Sequence, residues 1–205
     1  MNKIISLLFL CIWIAHADNT YIKNISLYWA QGVDENLKEI PGSIIKLDLP
    51  TEATHLYAVS TFFHFRSLSF ENIDNIEFGL TTVVAKHIGM QSHWETDAAF
   101  TVQYNRLFPV NNIINLDLAF GIGVSYAFGT PVYEDPIVND NGSLEYYRFQ
   151  SYLHFDAEVY NPSIESLHLL FRIHHRSGIY GLIAPPKVGS NFVGIGLVYY
   201  FNKDK

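Results

Sequence analysis

The sequence predicts an all-β fold, an antiparallel eight-stranded transmembrane β-barrel of the bacterial outer membrane. The first observation is the period-2 alternation of apolar and polar residues in successive segments, which indicates strands with two different faces. The second is an N-terminus typical of exported proteins. The third is the last alternating segment, residues 191–201, which ends on the aromatic residue Phe201.

The N-terminus predicts a signal peptide over residues 1–17, followed by a single barrel domain over residues 18–205. Lys3 provides a short positive region, residues 4–14 are largely apolar, and Ala15 and Ala17 form a small-residue cleavage site. The apolar stretch is shorter than the roughly 20 residues of a transmembrane helix. The chain's one cysteine lies in this stretch, so we expect neither disulfides nor thiol chemistry in the mature protein.

Nine segments are candidates for strands. The two N-terminal candidates, residues 21–29 and 44–49, alternate weakly. The others are residues 56–66, 76–87, 94–106, 114–126, 147–159, 167–173 and 191–201. A tilted strand of about 9–11 residues spans the hydrocarbon layer, and bacterial single-chain barrels have an even number of strands. We therefore expect eight strands, with one N-terminal candidate short, bent or merged with its neighbour.

The two faces of these segments favour a membrane barrel over a soluble lipocalin-type barrel, whose apolar face would point inward. Small residues share one face with charged residues such as Glu95, Asp97 and Arg172, whereas bulky aliphatic residues fill the opposite face. Aromatic residues lie near the ends of that apolar face, as in the interfacial girdles of membrane barrels. Because eight strands leave room only for side chains, we expect a closed, packed lumen.

Loop lengths orient the predicted barrel. Residues 107–113 and 160–166 form short connections, whereas residues 127–146 and 178–190 are long and rich in Pro, Gly, Asn and Asp. Outer-membrane barrels have short periplasmic turns and longer external loops. The last strand then ends on the periplasmic side, where we expect it to serve as the signal for the barrel assembly machinery.

The charge of the chain bears on its partners. The net charge is −7 and no basic cluster occurs, which argues against nucleic acid as a partner. The expected partners are lipopolysaccharide and other outer-membrane lipids, and the sequence favours no particular oligomeric state.

The densest cluster of reactive side chains is residues 172–178, RIHHRSG, at the outer end of the penultimate strand. Alternation directs His174 and Arg176 into the lumen, and His175 and Ser177 outward beside the outer leaflet. A histidine two residues from a serine on one strand face can act as a base beside its nucleophile. Lumen charges need partners. For His174 and Arg176 we expect pairing with acids such as Asp117, Asp156 and Glu158.

From about residue 85 to residue 201, the chain resembles a group of Gram-negative outer-membrane barrel proteins. The matching segments are WETDAAF (94–100), GIGVSY (121–126) with the following Pro131 and Glu134, FRIHHRSGIYGL (171–182) and GSNFVGIGL (189–197). The group is distantly similar to the lipid A deacylases of the PagL type. Those eight-stranded barrels cleave an ester-linked acyl chain with a membrane-facing Ser-His-Glu triad, in which His and Ser are arranged as H-x-S.

This resemblance implies that His175 is the base and Ser177 the nucleophile of an outer-leaflet ester hydrolase, with backbone amides near Gly178 holding the oxyanion. We expect Arg176 and Lys187 to contact lipid head groups, since guanidinium and ammonium groups pair well with phosphates.

The chain departs from the deacylase pattern in two places. Gly178 replaces an asparagine, and the start of the following strand reads Gly189-Ser190-Asn191 where the family has a glutamate. No glutamate occurs after Glu165. Glu134 or Glu145, both in the long loop, can replace this acid only if the loop folds over the site.

The alternative is a non-enzymatic structural or surface-interaction barrel, in which the external loop over residues 127–146 binds a partner and His175 and Ser177 only hold the rim. No cofactor is expected. His154, His168 and His174 share the lumen face, but His168 and His174 are roughly 20 Å apart at about 3.3 Å per residue. They cannot share an ion, and we expect no metal.

Overall fold

Eight long strands close into one antiparallel barrel within the described part of the chain. The computed structural model describes residues 21–70, 73–107, 113–179, 181–186 and 188–201. The barrel strands are β1 (Tyr21–Val33), β2 (Thr51–Phe70), β3 (Ile73–Gly89), β4 (Trp94–Tyr104), β5 (Asn115–Ala127), β8 (Phe149–Tyr160), β9 (Leu167–Ser177) and β10 (Gly189–Tyr200). Their order around the barrel is β1-β10-β9-β8-β5-β4-β3-β2. The predicted fold class is confirmed. The predicted signal peptide lies outside the described residues.

Two short strands and one helix belong to the loops. β6 (Ile137–Val138) and β7 (Leu144–Glu145) form a separate hairpin between β5 and β8. The helix α1 (Ile40–Lys46) lies between β1 and β2. No helix among the described residues has the length and apolar character needed to cross a membrane.

The weak strand candidate at residues 44–49 is wrong, and β1 supplies the first of the eight strands. Residues 44–46 belong to α1, which has Pro41 in its first turn, where a missing backbone N–H costs nothing. The helix ends at Leu47, which has a left-handed φ of 56°. The apolar Ile44, Ile45 and Leu47 are all exposed, so their spacing does not mark a buried strand face.

The pairing of β1 with β10 closes the barrel. Leu27 lies opposite Leu197, and the register continues from Asn24–Tyr200 to Gly32–Phe192. Beyond the end of β10, the Phe201 amide donates a hydrogen bond of 2.9 Å to the Lys23 carbonyl. The C-terminal aromatic is thus attached to the first strand at the end of the barrel.

The strand faces are those that the alternation predicted. In β4, Glu95, Asp97, Thr101 and Gln103 are buried in the lumen, whereas Trp94 is 55% exposed on the outside. A lumen cavity lined by polar residues of six strands has a volume of only about 10 Å³, which is about the space of one water molecule. The lumen is therefore packed with side chains, as expected.

The long loops lie together at one end of the barrel. This end, called the outer end below, carries residues 34–50, 90–93, 128–148, 178–179, 181–186 and 188. The apolar outward face, the polar lumen and the closed sheet are the features of a barrel that spans the outer membrane.

Candidate functional site

The outer end of β9 presents four polar side chains to two different environments. His174 and Arg176 are fully buried in the lumen. His175 and Ser177 point outward and are half-buried. The division predicted for the four residues is correct, because the strand keeps its alternation to Ser177.

His175 has a partner on the neighbouring strand. Asn191 of β10 lies opposite His175 in the register, and its Oδ1 is 2.6 Å from His175 Nδ1. The Asn191 amide nitrogen donates a hydrogen bond of 2.7 Å to the Glu35 backbone carbonyl. Since a carbonyl only accepts, the amide oxygen must face His175, and His175 Nδ1 must carry the proton. The Nε2 nitrogen of His175 is then the basic one.

Ser177 is held by β8. Its Oγ lies 3.1 Å from Ser151 Oγ, and the Ser151 hydroxyl donates a bond of 3.0 Å to the Ser177 carbonyl. Among the described residues, no direct hydrogen bond joins His175 and Ser177. The Gly178 amide, expected to hold an oxyanion, donates to the Val188 carbonyl at 3.3 Å. The Ser151 hydroxyl is therefore the side chain that hydrogen-bonds the candidate nucleophile among the described residues.

A groove of about 1120 Å³ runs along the outside of the barrel from this site. Its floor contains outward side chains of β5, β8 and β9: Ile122, Leu153, Phe155 and Ile173. The groove is also lined by Val33, at the end of β1, and by residues 34–39, which follow it. His175, Ser177 and Asn191 line the groove as well. Ligand pockets have volumes of roughly 300–1,000 Å³. The groove is therefore large enough for a lipid acyl chain.

Arg176, one of the two predicted head-group ligands, lies inside the barrel. Arg176 is 0% exposed, and its guanidinium donates to Glu134 Oε1 at 2.6 Å and to the Arg148 carbonyl at 2.9 Å. Arg176 therefore belongs to the lumen network and not to a head-group site, because its charge is already compensated inside the barrel. Lys187 lies outside the described residues, and its role remains a prediction.

Glu134 does fold back onto the barrel, but not onto His175. Its carboxylate accepts hydrogen bonds from Arg176, from Ser190 Oγ at 3.0 Å and from the Gln150 amide. Burial raises the pKa of Glu134 to about 7, although the Arg176 charge acts to lower it. Glu134 therefore closes the outer end of the lumen and does not replace the missing acid. Glu145, in β7, is exposed.

The charges of the lumen are paired among the described residues, and the partners of His174 and Arg176 differ from the predicted ones. His174 Nε2 lies 2.7 Å from Glu95 Oε1, and Arg176 Nη1 lies 3.3 Å from Glu95 Oε2. Of the three acids expected to pair with them, Asp156 binds Arg172, and Glu158 and Asp117 lie beside His168. The expectation failed because the vertical offset between strands brings Glu95, and not these acids, to the level of His174.

Three groups of side chains within the described residues bring potential metal ligands within 4.8 Å of one another. They are His87, His93 and Glu95; Glu95, Asp97 and His174; and Asp117, Glu158 and His168. The three histidines considered from the sequence fall in separate places, since His154 pairs with Asp156.

Sequence reasoning missed the contacts of Asn191, Ser151 and Glu35. In the sequence, Asn191 stands out only because the deacylase family has a glutamate near its position. The antiparallel register gives its role, but the long connection at residues 178–188 hides that register in the sequence. Glu35 contributes its backbone carbonyl to Asn191, and its Oε2 is buried without a hydrogen-bond partner among the described residues.

Comparison with known proteins shows similarity in structure only. No protein-family model matches the chain, and no curated protein matches it in sequence. Among solved structures, the outer membrane enzyme PagL superposes with a TM-score of 0.56 at 12% identity, covering 86% of this chain and 98% of PagL.

Two further barrels are similar at lower scores. Neisserial surface protein A gives a TM-score of 0.49 at 10% identity, covering 90% of this chain and 100% of that protein. The N-terminal barrel of Pseudomonas aeruginosa OprF gives a TM-score of 0.42 at 12% identity, covering 88% of this chain and 100% of that domain. The likeness to PagL confirms the resemblance as a shared fold, that of an outer-membrane eight-stranded barrel.

Proposed function

We propose that the protein is a carboxylic-ester hydrolase of the outer leaflet, with Ser177 as nucleophile, His175 as general base and Asn191 as the residue that positions His175. The observation that carries the proposal is the contact of 2.6 Å between His175 Nδ1 and Asn191 Oδ1. With this contact, Asn191 is the third member of the proposed catalytic group, which the sequence did not reveal. An asparagine has this position in the Cys-His-Asn arrangement of papain-like proteases.

The orientation of the Asn191 amide supports catalysis by His175. When Asn replaces the triad Asp of a serine protease, kcat falls about 10⁴-fold because the imidazole adopts the wrong tautomer. Here the Glu35 carbonyl fixes the amide so that its oxygen faces Nδ1. The imidazole has the productive tautomer, and what the neutral amide lacks is the charge that would stabilise the imidazolium.

The reaction follows from these positions. Ser177 Oγ turns from Ser151 toward the substrate and attacks the ester carbonyl carbon, while His175 Nε2 takes the hydroxyl proton. The tetrahedral intermediate expels the alcohol, which receives that proton, and leaves an acyl group on Ser177. Water, activated by the same imidazole, then releases the fatty acid. The Ser151 hydroxyl can donate to the oxyanion once it turns from the Ser177 carbonyl, to which it donates without substrate. Hydrogen bonds of this kind are often long without substrate and shorten in the complex.

The substrate class follows from the groove. Its aliphatic and aromatic floor faces the lipid, and the candidate nucleophile lies at the outer end of the strand. An acyl chain of an outer-leaflet lipid reaches Ser177 along this groove without crossing the lumen. Lipid A of lipopolysaccharide is the acylated lipid of that leaflet, so its ester-linked chains are the proposed substrate.

The test is fatty-acid release by the purified barrel in vesicles. One set of vesicles contains lipopolysaccharide and a second contains phospholipid alone, and released acids are measured by mass spectrometry. We expect release from the first set by wild type, and none by Ser177→Ala or His175→Ala. Equal release by wild type and Ser177→Ala, or no release by any protein, contradicts the proposal. Release from phospholipid alone assigns a different acyl ester as substrate.

The role of Asn191 has its own readout. Asn191→Ala should lower kcat, and Asn191→Asp should move the acid limb of the pH–rate profile to higher pH, because a carboxylate stabilises the protonated imidazole. Asn139→Ala, in the exposed outer loop, is the control. An unchanged profile in Asn191→Asp argues that the contact is structural only.

A second candidate function, partner binding at the cell surface, is favoured by the β6–β7 hairpin. This hairpin exposes the apolar Val138 and Leu144. Removing residues 139–143 should abolish adhesion or partner binding, and leave ester hydrolysis unchanged, if the hairpin has this role.

A further inference from the structure

The outer part of the lumen contains a polar cluster that the proposed hydrolysis does not use. His87 lies at the end of β3 and Glu95 near the start of β4, with His87 Nε2 at 3.1 Å from Glu95 Oε2. The other Glu95 oxygen bonds His174 Nε2, and His174 Nδ1 lies 3.0 Å from Tyr28 Oη. Gln91 Nε2 lies 2.9 Å from His87 Nδ1. Each of these side chains is fully or almost fully buried.

His93 belongs to this cluster and has unused nitrogens. It is 4% exposed, and its ring lies 4.4 Å from the His87 ring. Neither ring nitrogen of His93 has a hydrogen-bond partner among the described residues. A side chain on Gly129 would come within 2.6 Å of His93 Cβ, so the outer loop lies directly against this residue. Burying an imidazole with both nitrogens unpaired is costly, which points to a missing ligand.

The cluster is also rich in acids within the described residues. Glu95, Asp97 and Glu134 are three acids close together, and Arg176 is the one described cation in contact with them. Asp97 Oδ2 lies 4.0 Å from His174 Nε2, beside the same cluster. Arg172 is used by Asp156 lower in the lumen. A dry lumen disfavours uncompensated charge. A divalent cation would add positive charge beside these acids.

We propose that His87, His93 and Glu95 bind a divalent transition-metal ion, of the zinc class, at the outer end of the lumen. Their potential ligand atoms already lie within 4.8 Å of one another. Two imidazoles and one carboxylate form a ligand set that zinc uses, with a fourth position left open. Imidazole ligands favour zinc, copper and nickel over magnesium and calcium, which prefer oxygen.

Two of the three proposed ligands, Glu95 and His87, are contacted by neighbouring polar side chains that can orient them. His174, itself held by Tyr28, orients the Glu95 carboxylate through its second oxygen. In the structure, Gln91 Oε1 accepts the Tyr133 amide at 3.4 Å, so the Gln91 amide nitrogen faces His87 Nδ1. A metal on His87 Nε2 places the ring proton on Nδ1, and the Gln91 amide must then turn its oxygen from Tyr133 to accept it. Such outer partners fix the orientation of metal ligands in proteins. The ion would enter from the outer end, under the loop that contains Gly129 and Glu134.

In the experiment, untagged, EDTA-treated barrel in detergent is titrated with Zn²⁺. Calorimetry measures the binding, and urea unfolding measures the stability with and without the ion. Co²⁺ reports the ligand geometry through its visible absorption, and Mg²⁺ serves as the control ion. We expect one Zn²⁺ per chain, a shift of the unfolding midpoint to higher urea, and no response to Mg²⁺. His93→Ala should weaken binding by more than the roughly 10–100-fold that loss of an outer partner costs.

The control variants separate this site from others. His55→Ala removes a half-buried histidine of β2 that lies beside Trp29 and Tyr57, outside the cluster, and should bind Zn²⁺ as wild type does. If His93→Ala fails the heat-dependent gel shift that reports folding, His93→Gln replaces it. Wild type without Zn²⁺ binding, or unchanged binding in the His93 variant, overturns the proposal. The proposal is also overturned if His168→Ala abolishes Zn²⁺ binding and the His93 variant does not, since the ion would then lie in the lower lumen.

Discussion

Removal of the Arg172 guanidinium should destabilise the barrel strongly, although the side chain points into the lumen, away from His175 and Ser177. Arg172 donates to Asp156 Oδ1 at 2.7 Å and Oδ2 at 2.6 Å, and to Ser60 Oγ at 2.9 Å. Its guanidinium also lies 4.8 Å from the centre of the Tyr28 ring. In Arg172→Met the Asp156 carboxylate stays buried, with His154 as its remaining partner at 3.1 Å.

The magnitude follows from the burial of the pair. Breaking a buried ion pair by removing one partner costs roughly 3–5 kcal/mol, because the other charge is left uncompensated. With an m-value of about 2–3 kcal/mol/M in urea, the unfolding midpoint should fall by about 1–2.5 M. The double variant Arg172→Met/Asp156→Leu should lose less than Arg172→Met alone, because no buried charge remains.

The assay is urea unfolding of the refolded barrel in lipid vesicles, followed by the fluorescence of Trp29 and Trp94, both on the outward face. The matched control is Arg106→Met, which breaks an ion pair of 3.4 Å with Glu165 whose side chains are 56% and 64% exposed. Exposed pairs contribute about 0–1 kcal/mol. If Arg172→Met and Arg106→Met differ by less than about 1 kcal/mol, the lumen network does not stabilise the barrel as argued.

Three further predictions concern the loop, the C-terminus and the lumen. The raised pKa of Glu134, about 7 in the docked loop, means that deprotonation weakens docking. Its facing charges are Arg176 and Glu95, so proteolysis of residues 128–148 should increase from pH 5 to pH 8 in wild type and lose this dependence in Glu134→Gln. Proteolysis of the wild-type loop that does not change with pH argues against a docking role for protonated Glu134. Phe201→Asp should impair insertion into the outer membrane, measured by fractionation and the heat-dependent gel shift, whereas normal insertion removes Phe201 from the assembly signal. Planar bilayers with the protein should show no large, stable conductance steps, and such steps would contradict a packed lumen.

The strands and their faces could be predicted from the sequence because alternation is a local property. The candidates at residues 56–66 and 76–87 are the central parts of β2 and β3, which extend further at both ends. The error at residues 44–49 came from an apolar run with no buried face, which a period-2 pattern does not distinguish from a short helix. The lumen or outward direction of residues 174–177 followed from the same alternation.

The partners across strands could not be predicted, because they depend on register and on the offset around the barrel. The contact of His175 with Asn191 requires the register of the β9–β10 hairpin. The pairing of His174 with Glu95 joins residues 79 positions apart across the lumen. The docking of Glu134 on Arg176 depends on the path of the outer loop, to which no local pattern points.

The ester-hydrolase proposal is tested most directly by mass spectrometry of lipid A from cells that produce wild type, Ser177→Ala or His175→Ala at equal levels in the outer membrane. The predicted result is lipid A lacking one ester-linked acyl chain in cells with wild type, and fully acylated lipid A in cells with either variant. Identical lipid A in all three strains would contradict lipid A deacylation and leave the barrel with a structural or binding role.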